Sequence, residues 1–92
     1  MVKSALVFEL ERLGHQVELE VHLPGIGYCD VVDHTTSIQY EIDGHRGPKY
    51  RQNKARKYLR PGIKDIIIIP IYKLSDDLND IRSFVRSYVV SD

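Results

Sequence analysis

Three carboxylates fall close together in the stretch YCDVVDHTTSIQYEIDGHRGPKYRQNKARK, residues 28–57. Asp30 lies in one β-type run, and Glu41 and Asp43 lie in the next. Joined at His34-Thr35-Thr36, with Val32 opposite Ser37, the runs set Asp30 against Gln39, with Glu41 on its diagonal. Such diagonals are about 7–8 Å apart, within reach of a shared cation. The pleat carries Asp43 to the same face and leaves Cys29, Val31, Ile38, Tyr40 and Ile42 on the other. Slipping the register by one residue would mix the acidic and apolar faces. Carboxylates gathered in this way repel one another, and a divalent cation relieves the repulsion. Mg²⁺ suits oxygen ligands that leave several waters in place, with Mn²⁺ as its substitute. Such an ion can activate a water and stabilise the charge on a phosphodiester in transit. Asp30, Glu41 and Asp43 are therefore candidate metal ligands.

The charge distribution points the same way. Net charge is zero, but Arg46, Lys49, Arg51, Lys54, Arg56, Lys57, Arg60 and Lys64 all fall in a stretch without Asp or Glu. The remainder holds all 13 acids. Asymmetry of this kind suits a polyanionic partner. A basic helix directly after the acidic cluster would hold backbone phosphates, through Arg46, Lys49, Arg51, Gln52, Lys54 and Lys57.

Other elements must position these groups. The first is a helix over about Val2–Leu13, with Val2, Leu6, Leu10 and Leu13 at helical period and Gly14 as its stop. Glu9 projects within its apolar stripe, where a carboxylate is costly unless paired; Glu11 projects to solvent. Residues 16–23 alternate as a half-buried strand, and Pro24-Gly25-Ile26-Gly27 turns the chain. A helix over about Lys49–Arg60 has a narrow apolar stripe of Ala55, Tyr58 and Leu59. Asp65–Pro70 is a continuous apolar run, expected parallel to the preceding strand after a helical crossover. The last helix starts near Ser75 and buries Leu78, Ile81, Phe84, Val85 and Tyr88. The expected class is α/β, a mixed four-stranded sheet flanked by helices.

At 92 residues the chain reads as a single domain, 1–92, with a small core that a dimer partner would support. The one cysteine, Cys29, excludes an internal disulfide and a Cys-rich zinc framework, which favours a cytoplasmic setting. No apolar run approaches the roughly 20 residues of a membrane span.

The order α-β-β-β-α-β-α, with acids on the first helix and the second and third strands, resembles the PD-(D/E)xK nuclease superfamily, the restriction-endonuclease-like fold. Small archaeal Holliday-junction resolvases and Vsr-like endonucleases have the most similar layout, and YEIDGH is similar to a segment of some Vsr-like members. The resemblance implies a Mg²⁺-dependent DNA endonuclease. It implies that Glu9 is the helix-one acid, Asp30 the central aspartate and Glu41 the first residue of the triplet. In that triplet, Glu41-Ile42-Asp43, an acid stands where the family has lysine; Lys49 and Lys54 are the candidates for a displaced lysine. Junction DNA and a two-fold homodimer with paired sites are the expected substrate and assembly.

Plainer readings exist for each feature: an exposed acidic sheet face, a solvated basic helix, and a Glu9 whose carboxylate reaches water at the rim. A nucleic-acid-binding module that lost catalysis with the lysine is the main alternative function. His34 and His45 with Asp33 carry no zinc spacing signature.

Overall fold

The computed structural model describes residues 2–44, 53, 56–71 and 78–91. Helix α1 spans Val2–Arg12. It ends in a Schellman motif: the N–H of His15 donates to Leu10 O at 3.1 Å and that of Gly14 to Glu11 O at 2.9 Å. Gly14 supplies the left-handed φ of 82° that this motif requires. Leu13 falls outside the helix and is exposed.

Four strands form one mixed sheet in the order β1-β2-β3-β4: Val17–Leu23, Gly27–Asp33, Ile38–Asp43 and Asp65–Pro70. The β1–β2 and β2–β3 pairs are antiparallel, and β4 runs parallel to β3, as the apolar run after a crossover leads one to expect. Pro24 and Gly25 close the first hairpin with Ile26 N–H donating to Leu23 O, and Gly25 takes the positive φ of a type II turn. Helix α2 spans Leu78–Arg86. Of the basic helix expected over 49–60, positions 49–52, 54 and 55 lie outside the described residues; 53 and 56–58 are helical, and 59 and 60 are not. No helix among the described residues is long and apolar enough to cross a membrane.

Apolar side chains cover both faces of the sheet. Leu6 and Leu10 of α1 and Ile81 and Val85 of α2 pack with Val31, Ile38, Tyr40 and Ile69 on one face. Cys29, Val32 and Tyr58 form the core of the other, with Val21, Leu23 and Ile66 against them. Leu59, expected in the apolar stripe of the basic helix, is exposed instead.

The β2–β3 register differs from the expected one by two residues: Val32 faces Gln39 rather than Ser37. The reason lies in the turn. Asp33 stays in the strand, and its Oδ1 accepts the N–H of Thr35, an Asx-type closure that holds residues 34–37 outside the ladder. Ser37 re-enters with a left-handed φ of 62°. A shift of two preserves which side chains share a face, but it brings Glu41 nearer to Asp30 than the diagonal reading does.

A second difference is a break in the pleat. The β1–β2 ladder pairs every position except Glu20 with Asp30, and Glu20 takes φ 51°. The β2–β3 ladder stops at Val31 with Tyr40. Regular alternation is therefore lost at Asp30. Val31 packs under the helices, whereas Cys29 joins the opposite core with Val32. The clean division into one apolar and one acidic face does not hold across this point.

Candidate carboxylate site

Where β2 and β3 part, carboxylates take over the bonding of the backbone. Asp30 N–H donates to Glu41 Oε2 at 2.7 Å, and Ile42 N–H donates to Asp30 Oδ2 at 2.8 Å. Buried N–H groups must find acceptors, and an ionised carboxylate is a strong one. The two acids are thus brought to the same gap in the ladder.

Their surroundings differ. Asp30 is partly exposed and lines an open groove of about 490 Å³ with Val2, Lys3, Ile42 and Ile71. Its Oδ1 lies 3.9 Å from Lys3 Nζ. Lys3 also bonds to Glu20, whose carboxylate, together with the charge of Asp30, raises the ammonium's pKa against the effect of burial. Glu41 is 1% exposed and accepts a further bond from Gln39 Nε2 at 3.3 Å. Gln39 is fully buried, and its Oε1 accepts from Arg60 Nη1 at 2.6 Å. Arg60 can only donate, so the amide oxygen must face it and the amide NH₂ must face Glu41. The same Nη1 donates to Tyr58 O, and Tyr58 OH donates to Tyr28 O, which ties the end of the basic segment to β2. Asp43 is buried at the end of β3, level with Pro70 of β4.

Cys29 is buried beside this cluster, with Sγ 3.5 Å from Val21 O. Burial first, and then the charge of Glu41, push its thiol pKa up. It is a packing residue, as its place on an apolar run suggests. Tyr28 is exposed and lies against the His22 ring, 4.7 Å between centroids.

The expectation for Glu9 is met in one respect and not in another. It is buried within the helix stripe and is paired, as its position demands. Its partners are arginines: Oε2 accepts from Arg12 Nη2 at 3.0 Å, and Oε1 lies 3.1 Å from Arg86 Nε on α2. Burial opposes ionisation, but the two guanidinium groups outweigh it and hold the carboxyl below its ordinary range. Both oxygens are therefore engaged, Oε2 within α1 and Oε1 in joining α1 to α2. Among the described residues no three His, Cys, Asp or Glu side chains converge as a metal-holding group.

Of the expected nucleic-acid contacts, Arg46, Lys49, Arg51, Gln52 and Lys54 lie outside the described residues, which also leaves the displaced-lysine candidates there. Lys57 is exposed, with Nζ 5.7 Å from the Tyr58 ring centre. His34 is exposed and bonds Glu18 at 2.8 Å, and His45 is outside the described residues. Asp33 turns to His15, with Oδ2 and Nδ1 2.6 Å apart, both residues buried. That pair fastens the α1–β1 connection to the β2–β3 turn.

Sequence reasoning missed Lys3, Glu20 and His15, and it named Arg60 only within the basic stretch and Gln39 only as the residue opposite Asp30. Gln39 stands two residues before Glu41 and so on its face, and Arg60 closes the basic run. No family model, curated protein or solved structure matches the chain.

Proposed function

We propose that the chain is a metal-dependent nuclease that hydrolyses DNA phosphodiester bonds, with Asp30 and Glu41 as its central acids. One observation carries this reading: the two carboxylates meet at the gap between β2 and β3, one of them facing an open groove. Their chemistry fits Mg²⁺ or Mn²⁺, which are ordinarily held by one or two carboxylates, with waters and substrate phosphate completing the shell. When bound, such a cation lowers the pKa of a coordinated water and stabilises charge on the scissile phosphate. The chain's own residues divide the remaining work. Asp30 and Glu41 hold the cation, with Asp43 as a further acid at the end of β3. Lys3 presents a positive charge at the groove. Lys57, with Arg46, Lys49, Arg51, Gln52 and Lys54, contacts backbone phosphates. Branched DNA is the first substrate to try, and a homodimer would supply paired cuts.

A specific observation favours a second reading, a DNA-binding module without catalysis. Glu9 is engaged by two arginines, and no three-carboxylate group forms among the described residues. Cleavage of labelled duplex, single-stranded and junction DNA with Mg²⁺ and Mn²⁺, by the natural chain and by Glu41→Gln, tests both. Metal-dependent cutting lost in the variant supports the nuclease. Salt-sensitive binding without cutting by either protein moves the assignment to the module.

A further inference from the structure

Three guanidinium groups gather where α1 meets α2. Arg12 gives Nε and Nη2 to Glu9 Oε2, and Arg86 Nε lies 3.1 Å from Glu9 Oε1. Arg82, one turn before Arg86, lies over the Phe8 ring, 5.5 Å from its centre. Three positive charges around the single negative charge of Glu9 leave a surplus of two. The other acids of these helices stand outside the group. Glu11 lines the groove toward β1 with Lys3 and Leu19, and Asp80, two residues before Arg82, lies roughly 200° round α2 from it. Burial of Glu9 requires pairing, but not this surplus, and like charges one turn apart on a helix are destabilising. An anion from outside would relieve them. The side chains of Arg12 and Arg86 are about half exposed, as is Phe8. A guanidinium carries more N–H donors than these bonds use, and one edge held in place orients the rest for a phosphate.

The location of this patch matters. Leu6, Leu10, Ile81 and Val85 seat the two helices on one face of the sheet, and Tyr58 seats the end of the basic segment on the other. We propose that the α1–α2 arginines are a second phosphate-contact face, so that one chain holds two DNA segments, one on each side of its sheet. This inference rests on the DNA-binding part of the reading above and is independent of the metal. A straight duplex lying along one face leaves the other free, and two arms of a branched molecule, or two separate duplexes, match the arrangement. The contacts are to the backbone and carry no sequence preference.

Short duplexes carrying a donor or an acceptor dye, mixed in excess over protein at about 50 mM salt, test the second face. Energy transfer between duplexes reads bridging, and anisotropy of one labelled duplex reads binding. The natural chain should do both. Arg82→Glu removes the surplus charge of the patch, and should weaken capture of the second duplex by on the order of tenfold, the loss of one phosphate contact at this salt. Binding of the first duplex, at the basic segment, should stay within about twofold. Arg82→Lys keeps the charge and should still bridge. Arg82 takes no part in pairing Glu9, so its variants should fold, which melting curves check. Arg86→Gln weakens the same face from a second position and should also lose bridging. Bridging that survives both Arg82→Glu and Arg86→Gln, or binding without bridging by the natural chain, overturns the second face and leaves DNA binding standing. Equal loss of binding and bridging in the variants makes the arginines part of a single site, and also overturns it. No DNA binding by the natural chain overturns both readings.

Discussion

Glu41 serves the fold as well as the proposed chemistry, and substitution can separate the two roles. Its carboxylate, 1% exposed, accepts the Asp30 N–H at 2.7 Å and the Gln39 amide at 3.3 Å. Glu41→Ala leaves both donors in a buried site without this acceptor. A hydrogen bond to a charged group contributes about 1.5–3 kcal/mol, and the longer second bond less, so a loss of about 3 kcal/mol is expected. In a domain of this size each kcal/mol lowers the melting temperature by about 4–8 °C. The Ala variant should therefore melt at least about 12 °C lower. Glu41→Gln keeps the volume and an oxygen able to accept both bonds, so it should stay within about 1 kcal/mol of the natural chain. It lacks the charge, however, and should lose divalent-cation binding. Thermal and urea unfolding, with and without Mn²⁺, read both effects. Equal stability of the two variants would refute the carboxylate's structural role, and full Mn²⁺ binding by the Gln variant would refute its role as a ligand. Loss of activity in Glu41→Ala alone would not distinguish a missing ligand from a damaged sheet.

Three further outcomes follow from the same geometry. The lowered pKa of Glu9 means that its contribution to stability is present above the ordinary carboxyl pKa of about 4.3 and is lost as pH falls through the lowered value. Its arginine partners are about half exposed, so that contribution should be under about 1 kcal/mol. Urea midpoints from pH 7 to pH 2, compared with Glu9→Gln, should converge in acid; parallel curves would contradict the pairing. Cys29, buried and with a raised thiol pKa, should react with an aromatic disulfide reagent at neutral pH only as the chain unfolds, and rapid stoichiometric labelling of folded protein would refute its burial. Lys57→Ala should lower the salt-dependence slope of DNA binding by about 1 while leaving Mn²⁺ binding unchanged, as measured by fluorescence anisotropy over a salt series.

Features that depend on local pattern were legible in the chain. Helical period and a following glycine placed α1 to within a residue of its end. Alternation marked β1 to β3, and the unbroken Ile66–Ile69 run marked a strand with apolar cover on both faces and a parallel partner. The same pattern put Glu9 on a buried stripe and so required a partner for it, and it set Asp30 near Glu41. Which groups meet follows from the folded arrangement. The β2–β3 register depended on the Asp33 carboxylate closing the turn onto Thr35, a side-chain bond that no hydropathy pattern records. The reversal at Asp30 depended on a single left-handed residue in the neighbouring strand. Arg86 reaches Glu9, Arg60 reaches Gln39 and Lys3 reaches Asp30 only because packed elements bring distant parts of the chain together. Periodicity encodes the face on which a side chain lies, because it follows from backbone geometry within one element. The partner across the gap is set by the packing of whole elements against one another, so the acids of this site could be read from the sequence and the bases that meet them could not.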